Sequence, residues 1–73
     1  MIRIGIIGCG TIGSALAQAV ERKFHRLAFL AYVSDRNPLQ IEKLQKKIRA
    51  RFRAVSIEEL IRKSDFIIES ASI

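Results

Sequence analysis

Two hydrophobic periods alternate along this chain. Ile2, Ile4, Ile6 and Ile7 form a β-branched run with few polar residues, the pattern of a strand buried on both faces. It stops at Gly8-Cys9-Gly10. Ile12, Ala15, Leu16, Ala19 and Val20 follow at spacings of three and four, which sets them on one face of a helix ending near Phe24 or His25. Leu27 to Val33 reads as a second buried strand, closed by Ser34-Asp35-Arg36-Asn37-Pro38. Asn37 suits an N-cap and Pro38 the first helical position. The helix they open carries Ile41, Leu44 and Ile48 on one face. Phe52 to Val55 reads as a short third strand. Ser56 and Glu59 have the spacing of a capping box, ahead of a short helix with Ile57, Leu60 and Ile61 on its apolar side. Asp65 to Ser70 reads as a fourth strand. The order βαβαβαβ implies an α/β fold with a parallel sheet and right-handed crossovers.

Composition removes several alternatives. A chain of 73 residues holds one small domain, and a hydrophobic fraction of 49% argues against disorder. The apolar start is too short for a signal-peptide core, and no run approaches the ~18 residues of a membrane span. The expectation is a cytoplasmic protein with no membrane partner. A single cysteine excludes an internal disulfide, and no Cys/His cluster offers a metal site.

The net charge of +6 points at first to nucleic acid. It is confined to one segment: Lys43, Lys46, Lys47, Arg49, Arg51 and Arg53, with no acid among them. The lysines fall opposite Ile41, Leu44 and Ile48 on the second helix, so the segment reads as a solvated face. With no interleaved aromatic platform, no specific nucleic-acid partner is expected. Attraction of an anionic ligand is a further reading of the same charge.

Candidate chemistry lies between the first strand and the first helix. Gly8-Cys9-Gly10-Thr11-Ile12-Gly13 matches G-x-G-x-x-G, follows a strand and opens a helix within a βαβ unit. Asp35 stands at the end of the second strand, 22 residues beyond Gly13. Each part has a physical task in binding a dinucleotide. Gly8 allows the tight turn, Gly10 lets a pyrophosphate approach the backbone, and Gly13 lets helix and strand pack closely. The amides of Thr11 and Ile12 face the phosphates at the positive end of the helix dipole. Asp35 accepts hydrogen bonds from the adenosine ribose. Arg36 suits a 2′-phosphate or an adenine ring, but Asp35 repels that phosphate, so NAD is favoured, with NADP as the alternative. Cys9 has no base partner and reads as a packing residue. His25 reads as a residue of the helix C-terminus.

The expected architecture is a partial Rossmann fold with strand order 3-2-1-4, truncated before the remaining strands. Residues 1–73 are expected to form the N-terminal portion of a dinucleotide-binding domain. The fourth strand then lies at an open sheet edge.

The stretches Gly5 to Gly13, Asp35-Arg36-Asn37 and Asp65-Phe66-Ile67-Ile68-Glu69-Ser70-Ala71-Ser72 together resemble the N-terminal part of L-aspartate dehydrogenase. Ser70 departs from the Ala or Cys more common in that family. The resemblance implies that Gly8, Gly10, Thr11, Ile12 and Gly13 hold the pyrophosphate and Asp35 the ribose, with Ser70, Ala71 and Ser72 bordering the cofactor. It implies a parent activity, oxidation of L-aspartate to iminoaspartate by hydride transfer to NAD(P). The family's substrate domain, which supplies the catalytic histidine and mediates homo-oligomerisation, has no counterpart in these residues. No catalytic residue is therefore assigned, and an amino-acid substrate belongs only to a full-length parent. Homoserine dehydrogenase, or another two-domain dehydrogenase, is one alternative. A stand-alone nucleotide-sensing module, as in potassium transport systems, is another.

Overall fold

The computed structural model describes residues 1–71. Its elements are β1 (Ile2–Ile7), α1 (Thr11–Lys23), β2 (Ala28–Ser34), α2 (Pro38–Lys47), β3 (Arg53–Ala54), α3 (Ile57–Lys63) and β4 (Phe66–Glu69). The strands form one parallel sheet in the order β3-β2-β1-β4. This is the α/β, partial Rossmann architecture that the alternating periods imply.

Side chains alternate across a strand, so Ile4 and Ile6 point to one face and Gly5 to the other. Ile4 and Ile6 join Ala17 and Val20 of α1, and Leu44 of α2, in the main core. On the opposite face a side chain at Gly5 would meet Leu60 and Ser64, so α3 lies close over β1 there. The two faces are thus covered by helices from different crossovers, as a parallel sheet requires.

β2 does not alternate simply. Ile4 pairs with Leu30, but Gly5 pairs with Tyr32, so Ala31 is an extra residue in the ladder. This bulge turns both Leu30 and Val33 into the main core beside Ile4 and Ile6.

Several boundaries differ from the sequence pattern for physical reasons. Leu27 lies outside β2 and is exposed; its N–H instead closes a turn onto the Phe24 carbonyl. Ile2 is also exposed, near the open end of β1. Ile48 is buried, yet it is the C-cap of α2 with extended backbone. The third strand contracts to two residues, although the Val55 N–H still reaches the Val33 carbonyl. Ser56 Oγ caps α3 by accepting from the Glu59 N–H. The Glu59 carboxylate takes the Lys63 ammonium at 2.8 Å, which gives the helix an i,i+4 pair.

The lower ends of β1 and β4 are latched together. The Arg3 N–H and guanidinium donate to the Asp65 carboxylate, and the Asp65 N–H donates to the Arg3 carbonyl. The hydrogen bond from Arg3 holds the Asp65 carboxyl below its ordinary range.

A second tie joins α1 to the end of α2. Glu21, near the end of α1, accepts from the Arg49 and Ala50 amides at 2.8–2.9 Å. An acid thereby anchors the backbone of the basic segment just where α2 ends. Glu21→Ala is expected to lower the urea midpoint, with a cost of about 1–2 kcal/mol for amides that lose a charged acceptor. Glu21→Gln, which keeps an acceptor oxygen, is expected to lose less.

Candidate functional site

Ligands of open parallel sheets bind outside the carboxyl ends of the strands, where strand order reverses. In this sheet that point lies at the upper end of β1, between β2 and β4. The chain leaves β1 through Gly8, whose φ of +83° suits glycine. The Gly8 N–H donates to the Ser34 carbonyl, and the Ser70 N–H donates to the Ile7 carbonyl. The turn is therefore held from both neighbouring strands.

α1 begins at once. The hydroxyl of Ser14, a buried residue, donates to the Cys9 carbonyl at 2.9 Å. A Cβ at Gly13 would fall on the Gly8 carbonyl oxygen and within 2.6 Å of Ser70 Oγ. Close packing of helix on turn thus depends on Gly13. No side chain caps the helix at Gly10, and no acid stands in its first turn. A Cβ at Gly10 would meet nothing within 4 Å. The start of α1 therefore joins free backbone donors, the positive dipole end and open space.

That space is a cleft of about 920 Å³. Gly8, Gly10, Thr11 and Ile12 line one side, and Asp35 and Arg36 another. Ser70 and Ala71 close a third. The structure thus gathers every candidate residue except two. Gly13 lies beneath the turn, and Ser72 lies outside the described residues. Gln40, Ile57 and Glu69 also line the cleft. Sequence reasoning missed them: Gln40 enters because it sits one turn into α2, and periodicity alone does not reveal that direction.

Asp35 is held firmly. Its Oδ2 accepts the Cys9 N–H at 2.8 Å and the Cys9 thiol at 3.4 Å, and its Oδ1 accepts the Asn37 N–H at 2.8 Å. Partial burial pushes this carboxyl up, but the hydrogen bonds from Asn37 and Cys9 outweigh burial and hold it below its ordinary value. The carboxylate is charged at neutral pH. Cys9 is fully buried, and burial pushes its thiol up to about 12, with the Asp35 hydrogen bond and charge acting in the same direction. The thiol stays protonated and is no nucleophile.

Among the described residues, no group of three or more His, Cys, Asp or Glu side chains gathers to hold a metal. Among the described residues, no helix is long and apolar enough to cross a membrane.

The fit to a dinucleotide can be judged from the cradle itself. It offers unpaired amides, space at Gly10 and a fixed carboxylate within one cleft, the donor and acceptor set that a pyrophosphate and a ribose need.

Known proteins match this chain along nearly its whole length. Residues 3–71 match the family model described as NADP oxidoreductase, coenzyme F420-dependent. The L-aspartate dehydrogenase of Methanocella arvoryzae is 32% identical over 72 residues, covering 99% of this chain and 26% of that protein. The L-aspartate dehydrogenase of Methanosarcina acetivorans is 38% identical over 74 residues, covering 99% of this chain and 27% of that protein. The Trk system potassium uptake protein TrkA of Streptomyces coelicolor is 46% identical over 43 residues, covering 59% of this chain and 18% of that protein. The chain spans about a quarter of the length of the aspartate dehydrogenases it matches. No solved structure gives a significant match.

Proposed function

The chain belongs to the family of coenzyme F420-dependent NADP oxidoreductases, and from that premise we propose that it binds the adenosine half of NAD for an L-aspartate dehydrogenase. The carrying observation is the uncapped start of α1, which opens past Gly10 into the cleft that also holds Asp35. In this reading the Thr11 and Ile12 amides donate to the pyrophosphate, and Gly10 leaves room for its approach. Gly8 and Gly13 shape the turn. Asp35 accepts from the adenosine ribose, Arg36 lies beside the adenine, and Ser70 and Ala71 border the cofactor. Bound NAD supplies a hydride acceptor; the residues here bind and orient it. The substrate is L-aspartate, held by a longer, homo-oligomeric cytoplasmic parent.

Calorimetry with NAD, NADP and ADP-ribose tests this. NAD and ADP-ribose are expected to bind with Kd below about 100 µM, near −5.5 kcal/mol. NADP is expected to bind more weakly, because the charged Asp35 carboxylate repels a 2′-phosphate. A folded chain that ignores ADP-ribose would overturn the reading.

The match to the potassium uptake protein supports a second reading, a nucleotide-sensing regulatory module. A longer protein carrying this segment separates the two. L-aspartate-dependent reduction of NAD at 340 nm supports the dehydrogenase. Reduction with homoserine alone redirects the substrate, and nucleotide binding without any reduction favours the sensor.

A further inference from the structure

A carboxylate offers about four lone-pair sites, two on each oxygen. The chain already uses three of those on Asp35. Cys9 fills both sites on Oδ2, one with its amide and one with its thiol. Asn37 fills one on Oδ1. Among the described residues one acceptor site therefore remains, on Oδ1.

We infer that Asp35 reads only one hydroxyl of a bound adenosine ribose, and that Cys9 is the positioning residue that makes it so. The inference rests on the dinucleotide reading above and goes beyond it. A ribose carries two neighbouring hydroxyls, and a free carboxylate can accept both, one on each oxygen. Here the thiol occupies the second oxygen. It is a persistent donor, because Cys9 is fully buried and stays protonated at neutral pH. Its own carbonyl is held in turn by the Ser14 hydroxyl, so loop, thiol and carboxylate form one chain of contacts. Cys9 takes a variable position of the glycine motif, so this device is particular to chains with a donor there.

The binding test compares NAD with its adenosine 2′-deoxy and 3′-deoxy analogues by calorimetry on the unmodified chain. One analogue is expected to lose about 10-fold or more in affinity, the range of a charge-assisted hydrogen bond, and the other less than about 3-fold. Equal losses for both analogues overturn the inference. In Cys9→Ala one site on the second oxygen is freed while the backbone amide keeps the other, so the tolerated analogue is expected to lose about 5-fold or more against NAD. Cys9→Ser keeps a donor and is expected to restore the asymmetry.

A second readout needs no ligand. The Asp35 carboxyl is titrated by carbon NMR in the parent, Cys9→Ala and Cys9→Ser chains. Its midpoint is expected to rise in Cys9→Ala and to return towards the parent value in Cys9→Ser. An unchanged midpoint in Cys9→Ala overturns the role of Cys9. If the parent chain binds no dinucleotide, the proposed function and the hydroxyl reading both fall. The NMR titration still decides the Cys9 tether in that case.

Discussion

Gly13→Ala is expected to lower the melting temperature by about 10–20 °C and to weaken NAD binding more than 10-fold at temperatures where the chain stays folded. The added methyl would fall on the Gly8 carbonyl oxygen, with Ser70 Oγ within 2.6 Å. Neither neighbour can easily yield. Gly8 is held by the Ser34 carbonyl, and the Ser70 hydroxyl donates to the same Gly8 carbonyl. α1 must therefore back away from β1, and the turn that presents the cleft moves with it. Overpacking that shifts backbone costs about 1–3 kcal/mol or more. A chain of 73 residues has about 4–11 kcal/mol in total, so the loss is a large share of its stability. Thermal unfolding by circular dichroism checks this. A melting point within about 3 °C of the parent would show that the turn has slack.

Asp35→Ala is expected to act on binding and stability together. It removes the acceptor shared by the Cys9 amide, the Cys9 thiol and the Asn37 amide. The Cys9 amide is part-buried, and losing its partner costs about 1–3 kcal/mol. NAD affinity is expected to fall about 10- to 100-fold with the loss of a charge-assisted hydrogen bond. NADP affinity is expected to fall less, because the repulsion of its 2′-phosphate goes too. The preference therefore moves toward NADP, with Arg36 alongside in the cleft.

The pH dependence has a definite sign. The folded chain holds the Asp35 carboxyl below its ordinary value. Its contribution is thus fully present above the ordinary carboxylate value near 3.9 and is lost as pH falls through the lower folded value. The melting temperatures of parent and Asp35→Ala are expected to differ most near neutral pH and to converge below about pH 4. Asp65 is also held low, but it is present in both chains and drops out of the comparison. A gap that persists unchanged to acid would remove Asp35 as its source.

Features carried by neighbours in sequence were legible from residue patterns. The Gly8 turn, the Asn37 and Ser56 caps and Pro38 at the start of α2 all act within about one helical turn. The alternation of strands and helices was enough for a parallel sheet, and the glycine motif added the order β3-β2-β1-β4. The glycine motif and Asp35 mark two sides of the cleft. What periodicity could not supply are contacts set by register. Cys9 meets Asp35 across 26 residues, and Glu21 meets Ala50 across 29. Both depend on where α1 and β2 come to rest, and the bulge at Ala31 shifts β2 by a residue within its ladder. The capping box shows the same limit at short range. Ser56 plays its part, while Glu59 finds a stronger partner in Lys63.

The sheet has two unlike margins. At β3 it ends in two residues, with Arg51 and Arg53 on or beside the strand and more basic side chains on the helix before it. At β4 it ends in Phe66-Ile67-Ile68-Glu69, with Phe66 and Ile67 exposed. Any strand approaching the first margin meets a row of like charges and little ladder to join. A strand approaching the second finds open hydrogen-bonding groups and bare hydrocarbon. The sheet is therefore polar in the way a filament is polar: one margin is guarded by charge, and the other is an apolar strand.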